Sequence, residues 1–380
     1  MMKITATCMA TVFLFLLATA SAEEDEYEKA LRQQEKEWEE LSKQGQEAFL
    51  EAEQAWGRML REQQEAWDQM VAEINRIWLD SVTSTKKDWV DYSDEYHTRS
   101  QVDFEKGDMI LATMIKESDM RSAQISQERI AKQFARILSS NNQSGQSILE
   151  SQIVDSQGQP VTAQTLNRYL EQEVFPQLKR DMQPIVGRDG VPRYKVSVPV
   201  KLIPNHTQVR ANRYVPQVNQ EAKRFGLPPE LIMAVIHTES YFDPMARSHV
   251  PAYGLMQLVP KFGARDAFRF LHGQDRLLPA NYLYVPENNI TLGSGYLHLL
   301  LYKHFANETN PTRRLYLSVC GYNWGPGAIN RKIIGRYPTT RMSPEQLYQV
   351  LRQNTPKETS DYLQRVTSRM GMYRPLFENR

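Results

Sequence analysis

The sequence predicts a multidomain protein with a long N-terminal helix that forms a coiled coil, an α+β middle domain and a mainly α C-terminal domain. Three observations favour this fold class. Residues 23–87 contain no proline and only two glycines, residues 88–203 mix strand-like and helix-like patterns, and residues 204–380 repeat the apolar spacing of helices. A chain of 380 residues is long enough for two domains and an extension.

The first 22 residues have the pattern of a secretory signal peptide. Lys3 precedes an apolar run from about Cys8 to Ala18, and Ala20-Ser21-Ala22 provides an A-x-A cleavage site. The run is short for a membrane anchor, which is the alternative. We therefore expect export to the periplasm, with outer-membrane association left open. Cleavage would leave Cys320 as the only cysteine, so no intrachain disulfide is expected.

Residues 23–87 are predicted to form a helical arm with an eleven-residue repeat. Eleven residues in three turns is about 3.67 residues per turn, which favours a straight or slightly right-handed coiled coil. The aromatic residues of this repeat form a stripe along the helix, which a single helix cannot bury alone. The surface that covers the stripe would be a second copy of the chain, a partner protein, a membrane or the protein's own body. The aromatic members of the repeat are Tyr27, Trp38 and Phe49, and then, after a seven-residue step, Trp56, Trp67, Trp78 and Trp89.

The two parts of the chain carry opposite charge. Residues 23–80 hold 17 acidic and 7 basic residues, and apart from Lys3 the remainder holds 28 acidic and 38 basic residues. A basic body in an exported protein suits an anionic cell wall or peripheral contact with a membrane. The alternative is that the acidic arm balances the charge of the body within the molecule. The signal peptide argues against nucleic acid as a partner.

The middle region, residues 88–203, reads as α+β. Ser100–Met114 alternates around the turn Glu105-Lys106-Gly107-Asp108 and predicts a hairpin. Helices are predicted over Ser122–Leu138 and Thr162–Val174, and a second hairpin over Gly187–Val200. The sequence assigns this region no function.

The C-terminal half is organised around Pro228–Leu258. Pro229 suits the first position of a helix, and apolar residues recur at helical spacing up to a predicted end near Tyr241. Glu239 then lies in the last turn of an apolar helix, where desolvation and the helix dipole both disfavour its charged form. This is the environment of a general acid.

Other helices surround this segment. We predict them over Val209–Phe225, residues 287–305 and Thr312–Tyr322. Capping boxes at Ser343 and Thr355, each followed by proline, predict two more, and the second box assigns Glu358 to a helix cap.

Several ordered motifs occur in this half. They are Glu239-Ser240, Ser248, Gly254-Leu255-Met256-Gln257, Tyr322-Asn323 with Gly325-Pro326-Gly327, and Glu358-Thr359 with Tyr362. Together they resemble the soluble-lytic-transglycosylase domain, over roughly residues 205–375. Upstream, Tyr92-Ser93-Asp94 to Gly107 resembles the domain that precedes the catalytic domain in the membrane-bound lytic transglycosylase C group.

The resemblance implies a lysozyme-like fold for residues 204–380, preceded by an α+β domain over 88–203, the arm over 23–87 and the signal peptide over 1–22. It also implies cleavage of the β-1,4 bond between N-acetylmuramic acid (MurNAc) and N-acetylglucosamine (GlcNAc) in peptidoglycan strands, with formation of 1,6-anhydro-MurNAc. Glu239 would be the catalytic acid and then base. Substrate would be bound by Ser248, Met256, Gln257, Tyr322, Asn323 and Tyr362.

Glycoside hydrolysis usually needs two carboxylates, and the sequence offers Glu239 no convincing second one. Asp243 reads as part of a turn. A transglycosylase works with one carboxyl group, but a goose-type muramidase and a non-catalytic murein-binding scaffold stay open as alternatives. The sequence has no clustered His/Cys pattern and no glycine-rich phosphate loop, so we expect no metal or other cofactor.

Overall fold

The computed structural model describes residues 50–51, 53–119, 123–248 and 251–378. The chain divides after Asp68 into two compact units. In the first unit residues 53–68 are helical. The predicted signal peptide and residues 23–49 of the predicted arm lie outside the described residues, and so does the coiled coil predicted there. All elements labelled below belong to the second unit.

Helix α1, residues 69–77, ends before Trp78, so the prediction of helix up to Lys87 is wrong for its last ten residues. The β-branched and hydroxylated run Val82-Thr83-Ser84-Thr85 is a poor helix former. Trp78 is buried, its indole N–H donates to Tyr96 O at 2.6 Å, and the Arg99 guanidinium lies 4.3 Å from its ring. This member of the aromatic repeat therefore packs against the protein's own body.

An antiparallel sheet follows. Its main strands are β1 (Asp88–Ser93), β2 (Thr98–Asp103), β3 (Asp108–Lys116) and β6 (Pro192–Lys201), with short strands β4 (Lys179–Arg180) and β5 (Ile185–Val186). The order is β1-β2-β3-β6-β4, and β5 also pairs with β6. Both predicted hairpins are confirmed, because β2 pairs with β3 across residues 104–107 and β5 pairs with β6 across residues 187–191.

The helix predicted over Ser122–Leu138 is confirmed as α2 (Ala123–Leu138), which packs against this sheet. Ile130 and Phe134 share a buried core with Val102 and Leu111 of the strands. The helix predicted over Thr162–Val174 is shorter: it consists of α3 (Leu166–Tyr169) continued by a π-helical turn over Leu170–Val174.

The remainder is helical, as predicted. Helix α5 (Pro229–Ser240) lies at its centre, with every residue from Leu231 to Ser240 buried, and α4, α12 and the loop after α5 cover it. The helices are α4 (His206–Phe225), α5, α6 (Gly263–His272), α7 (Ala280–Leu283), α8 (Pro286–Leu299), α9 (Pro311–Trp324), α10 (Pro326–Ile329), α11 (Pro344–Asn354), α12 (Lys357–Tyr373) and α13 (Pro375–Glu378).

The two predicted capping boxes have different outcomes. At Ser343 the box is confirmed, since the side chains of Ser343 and Gln346 bond each other's backbone N–H. At Thr355 it is wrong. The Thr355 hydroxyl donates to Leu351 O at 2.8 Å, and α12 begins at Lys357 without a side-chain cap. The Glu358 side chain is therefore not used in a helix cap.

Candidate active site

Helix α5 carries Glu239 in its last turn, as predicted, and buries it to 4% exposure. The helix ends sharply because Tyr241 and Phe242 both adopt left-handed backbone conformations, with φ of 50° and 63°. Such conformations are strained for bulky side chains and persist only where the surroundings fix them. The position of the Glu239 carboxyl group is thus set by a rigid, irregular corner rather than by a fraying helix end.

The buried guanidinium group of Arg210 holds this corner in place. Arg210 of α4 is 1% exposed and donates to Tyr241 O at 2.9 Å, to Phe104 O at 2.9 Å and to Gln152 Oε1 at 2.5 Å. It also stacks over the Phe104 ring at 4.5 Å. One side chain thereby connects the corner after the catalytic helix with the loop between β2 and β3 and with the segment after α2.

Asp243, next along the chain, is fully buried. Its Oδ1 accepts from Met245 N at 2.9 Å, which confirms the predicted turn. Burial raises the pKa of Asp243 to about 6, with the nearby Arg210 charge opposing the shift.

The loop that carries Met256 and Gln257 is held by Asn289 of α8. The Asn289 amide group accepts from Met256 N at 2.7 Å and donates to Tyr253 O at 2.9 Å and Leu283 O at 2.7 Å. Gly254 is required beside it, since its φ is 76° and a Cβ there would lie 2.4 Å from Leu283 O.

Gln257 is buried, as its place in an apolar run suggests, and its backbone has a φ of 46°. Its Nε2 donates to Ala246 O at 2.9 Å and to Gly254 O at 3.0 Å. Its Oε1 has no hydrogen-bond partner among the described residues. Met256 is buried too, with its sulfur so close to Gly293 that a Cβ there would lie 2.2 Å away.

Tyr322 and Tyr362 lie beside Glu239. Their rings stack in parallel, 6.5 Å apart, and the Tyr322 hydroxyl donates to Met256 O at 2.9 Å. The pKa values of Tyr322 and Tyr362 are raised well above the ordinary value, first by burial and next by the Glu239 carboxylate. Both hydroxyls therefore stay protonated at neutral pH. The Tyr362 hydroxyl is buried and has no well-formed hydrogen bond in the described part of the chain.

Asn323 contacts the start of α12. Its Oδ1 accepts from Thr359 Oγ1 at 2.7 Å, and its Nδ2 lies 3.5 Å from Glu358 Oε1. Glu358, which the sequence analysis had assigned to a cap, instead faces the site. Ser248 lies on the loop after Asp243, half-buried, with its backbone N–H donating to Ala252 O at 3.2 Å.

A cavity of about 390 Å³ lies next to these residues. Of the predicted site residues, Gln257, Tyr322 and Asn323 line it, together with the aromatic side chains of Phe262 and Trp324. Phe262 is 63% exposed. Tyr241 and Tyr253, by contrast, are buried.

Sequence reasoning missed one residue of the site. The Lys86 ammonium group, from the segment before β1, lies 3.0 Å from Glu239 Oε2. The pKa of Lys86 is raised, with the Glu239 carboxylate as the largest cause. Glu239 is buried, as expected, but the Lys86 ammonium group faces its carboxyl group. No local sequence pattern indicates this contact.

Within the described residues no helix is long and apolar enough to cross a bilayer.

Comparison with known families identifies two matching regions. The family model of the transglycosylase SLT domain matches residues 216–341. That of the N-terminal domain of membrane-bound lytic murein transglycosylase C matches residues 58–213, and so begins within the predicted arm. Both resemblances noted from the sequence motifs are confirmed.

Curated relatives agree with these matches. The chain is 31% identical over 301 residues to the membrane-bound lytic murein transglycosylase C of Salmonella arizonae, covering 74% of this chain and 81% of the relative. It is 32% identical over 293 residues to the protein of that name from Haemophilus influenzae strain PittEE, covering 74% and 80%.

Solved structures match a smaller part. An inactive mutant of the lytic transglycosylase Slt from Pseudomonas aeruginosa is 30% identical, with 42% of this chain and 23% of that chain covered and a TM-score of 0.35. The 70 kDa soluble lytic transglycosylase from Escherichia coli is 27% identical, with 42% and 24% covered and a TM-score of 0.34. The chain thus spans about a quarter of these longer proteins.

Proposed function

Because this chain belongs to the membrane-bound lytic murein transglycosylase C family, we propose that it is a peptidoglycan lytic transglycosylase. It would cleave the β-1,4 bond between MurNAc and GlcNAc and leave 1,6-anhydro-MurNAc at the new end. The observation that carries the proposal is the buried carboxyl group of Glu239, fixed beside the Tyr322 and Tyr362 hydroxyls at the end of a rigid helix.

In the first step Glu239 acts as a general acid. It donates its proton to the glycosidic oxygen, and the bond between that oxygen and C1 of the MurNAc residue breaks. The sugar passes through an oxocarbenium-like state. Because Glu239 is shielded from solvent, its proton passes to the substrate oxygen rather than to bulk water.

In the second step the same group acts as a base. The carboxylate of Glu239 takes the proton from the C6 hydroxyl group of the MurNAc residue, and O6 forms a bond to C1. No water is consumed, and Glu239 ends protonated as it began. The Tyr362 hydroxyl is protonated and forms no well-formed hydrogen bond with the residues that the structure describes, so it is placed to donate to the carboxylate between the two steps.

Groups around the cavity are suited to hold the sugar. Gln257 Oε1 is a buried acceptor to which no described residue donates, and such an atom would be satisfied by the N–H of an N-acetyl group. Asn323, anchored by Thr359, presents an amide at the cavity wall. Phe262 and Trp324 provide apolar faces for sugar rings. Met256 would form the floor through packing, and Ser248 would bind the N-acetyl or lactyl side.

The remaining proposals concern the parts around this site. The signal peptide predicted over residues 1–22 would deliver the protein to the periplasm, where peptidoglycan lies. The part of the predicted arm that precedes the second unit, up to Asp68, would join two copies of the chain or bind a partner protein. The helicity of residues 53–68 supports this proposal.

The test is mass spectrometry of the fragments that the mature protein releases from purified peptidoglycan, beside Glu239→Gln. We expect products lighter by one water than the corresponding reducing fragments, and none with Glu239→Gln. Glu230→Gln is a matched control, because Glu230 lies in the first turn of the same helix and forms a long ion pair of 3.7 Å with Arg374. It should release the same products as the wild type.

Two results would contradict the proposal. Reducing ends in place of anhydro ends would mean that water attacks C1 and that the protein is a muramidase. Absence of any release by the wild type would mean that it binds murein without cutting it.

A further inference from the structure

Lys86 comes from a different part of the chain than the rest of the site. It lies within the matched N-terminal domain, residues 58–213, and outside the matched SLT domain, residues 216–341. Yet its Nζ is 3.0 Å from Glu239 Oε2, within hydrogen-bond distance of the carboxyl group that does the chemistry. The site is therefore completed by a residue from upstream of its own domain.

The segment around Lys86 is fixed rather than loose. Thr85 and Asp88 form a tight turn, in which Thr85 N donates to Asp88 O at 2.9 Å and Asp88 N donates to Thr85 Oγ1 at 3.0 Å. Ser84 Oγ bonds both the N–H and the C=O of Val90 in β1. The Lys86 side chain is 37% exposed, so it reaches Glu239 along the rim of the site while its backbone is anchored to the sheet.

The charges facing Glu239 identify Lys86 as its counter-ion. The Glu239 carboxyl group faces Tyr322 of α9 and Tyr362 of α12, and both tyrosines are neutral. Also from α12, Glu358 attracts the Lys86 ammonium group and Arg365 repels it. On α5 itself, His237 bonds Tyr373, and burial lowers its pKa to about 3, so it adds no charge at neutral pH.

We infer that Lys86 is a positioning residue whose ammonium group stabilises the Glu239 carboxylate that forms when the proton moves to the glycosidic oxygen. The inference rests on the proposed transglycosylase function. A carboxylate forms in the transition state of the first step, and a positive charge placed beside it in advance lowers the barrier. The same charge limits the reaction at high pH, because it also favours loss of the proton to solvent before substrate arrives.

This dual effect predicts a particular change in Lys86→Met. The rate at low pH should fall about tenfold, because the carboxylate that forms in the transition state loses the positive charge beside it. The alkaline limb of kcat/KM should move upward by about one pH unit, the low end of the shift expected for an opposite charge nearby, since Lys86 is partly exposed. The two profiles would approach or cross at high pH.

The experiment measures initial rates of anhydro-product release from soluble, uncrosslinked glycan strands between pH 4 and pH 9. Wild type, Lys86→Met, Lys86→Gln and Lys86→Arg are compared. Lys86→Arg keeps the charge and should stay near the wild-type profile. Lys201→Met is a matched control, because Lys201 is 75% exposed and forms its own ion pair with Asp108 on the sheet. Its profile should be that of the wild type.

The outcomes separate the two proposals. One outcome is that the wild type releases anhydro products while the pH–rate profiles of Lys86→Met and Lys86→Gln keep the wild-type shape and the same alkaline limb. In that case the inference on Lys86 is wrong and the proposed function stands. A uniform loss of rate at every pH without a moved limb also overturns it, since that would indicate a structural role alone. If wild type itself releases no anhydro products, the proposed function has failed.

Discussion

Replacement of Arg210 by methionine should loosen the corner that fixes the catalytic helix. Arg210 supplies the donors for three buried acceptors: Tyr241 O, Phe104 O and Gln152 Oε1. Burial lowers the pKa of Arg210 to about 10, which leaves the guanidinium group charged at neutral pH. Methionine has the length to fill much of the space, but it leaves all three acceptors without a donor.

The magnitude follows from those three acceptors. A buried polar group that loses its partner costs roughly 1–3 kcal/mol, and partial relaxation reduces the sum, so we expect a loss of about 4 kcal/mol in the free energy of unfolding. For a unit of this size the melting temperature should fall by about 8 °C. Because Tyr241 directly follows the last turn of α5, the rate should also fall, by about tenfold or more.

Calorimetry and product release measured well below the melting temperature separate these two effects. Arg213→Met is the control: Arg213 lies one turn further along α4 and donates to Ser147 O and Glu150 O at 2.8 Å. It should lose stability but keep its rate. An Arg210→Met protein that melts within about 2 °C of the wild type, or whose rate loss is matched by Arg213→Met, would refute the reasoning.

Two further predictions concern buried side chains of the same region. Asp243 has a folded pKa of about 6 against an ordinary 3.8, so the stability linked to its protonation is fully present below about pH 3.8 and lost as the pH rises through 6. The free energy of unfolding of Asp243→Asn, measured with denaturant, should therefore rise by about 3 kcal/mol relative to that of the wild type as the pH goes from about 3.5 to about 7.5. A difference between the two proteins that does not vary with pH would contradict this assignment. Asn289→Ala removes three buried hydrogen bonds and should cost about 3 kcal/mol, whereas Asn288→Ala, which loses a single long bond of 3.3 Å to Tyr282 O, should cost under about 1 kcal/mol. Equal losses in these two variants, measured by thermal unfolding, would show that Asn289 does not organise the loop.

Local patterns predicted the elements that local forces determine. Pro229 and the apolar spacing after it define α5, Gly226 with a φ of 64° ends α4, and the turn at Glu105–Asp108 forms its hairpin. Glu239 was placed correctly because its burial follows from the apolar residues one turn away on the same helix.

Residues whose roles depend on distant partners were not predicted. Lys86 reaches Glu239 across 153 positions of sequence, and a lone lysine before a strand resembles any exposed lysine. Arg210 and Asn289 are polar side chains in helices, which pattern analysis assigns to the exposed face. Their burial is explained only by acceptors and donors supplied from other segments.

The Thr355 and Glu358 prediction failed for a related reason. The spacing fits a capping box, but the Thr355 hydroxyl has a closer acceptor in Leu351 O at the end of the preceding helix. Glu358 is thereby available to face Asn323 and the Lys86 charge. A single competing hydrogen bond thus changed the surroundings of the active site.

The Arg210 contacts have a consequence for protein engineering. A fragment that begins at His206 would keep every residue of the SLT match, yet it would lose Phe104 and Gln152 on one side of Arg210 and Lys86 beside Glu239. The guanidinium group would then be open to solvent and free to leave Tyr241 O. Transplanting this active site into another scaffold therefore requires residues 84–108 and the segment around Gln152 as well as the helices that carry the motifs.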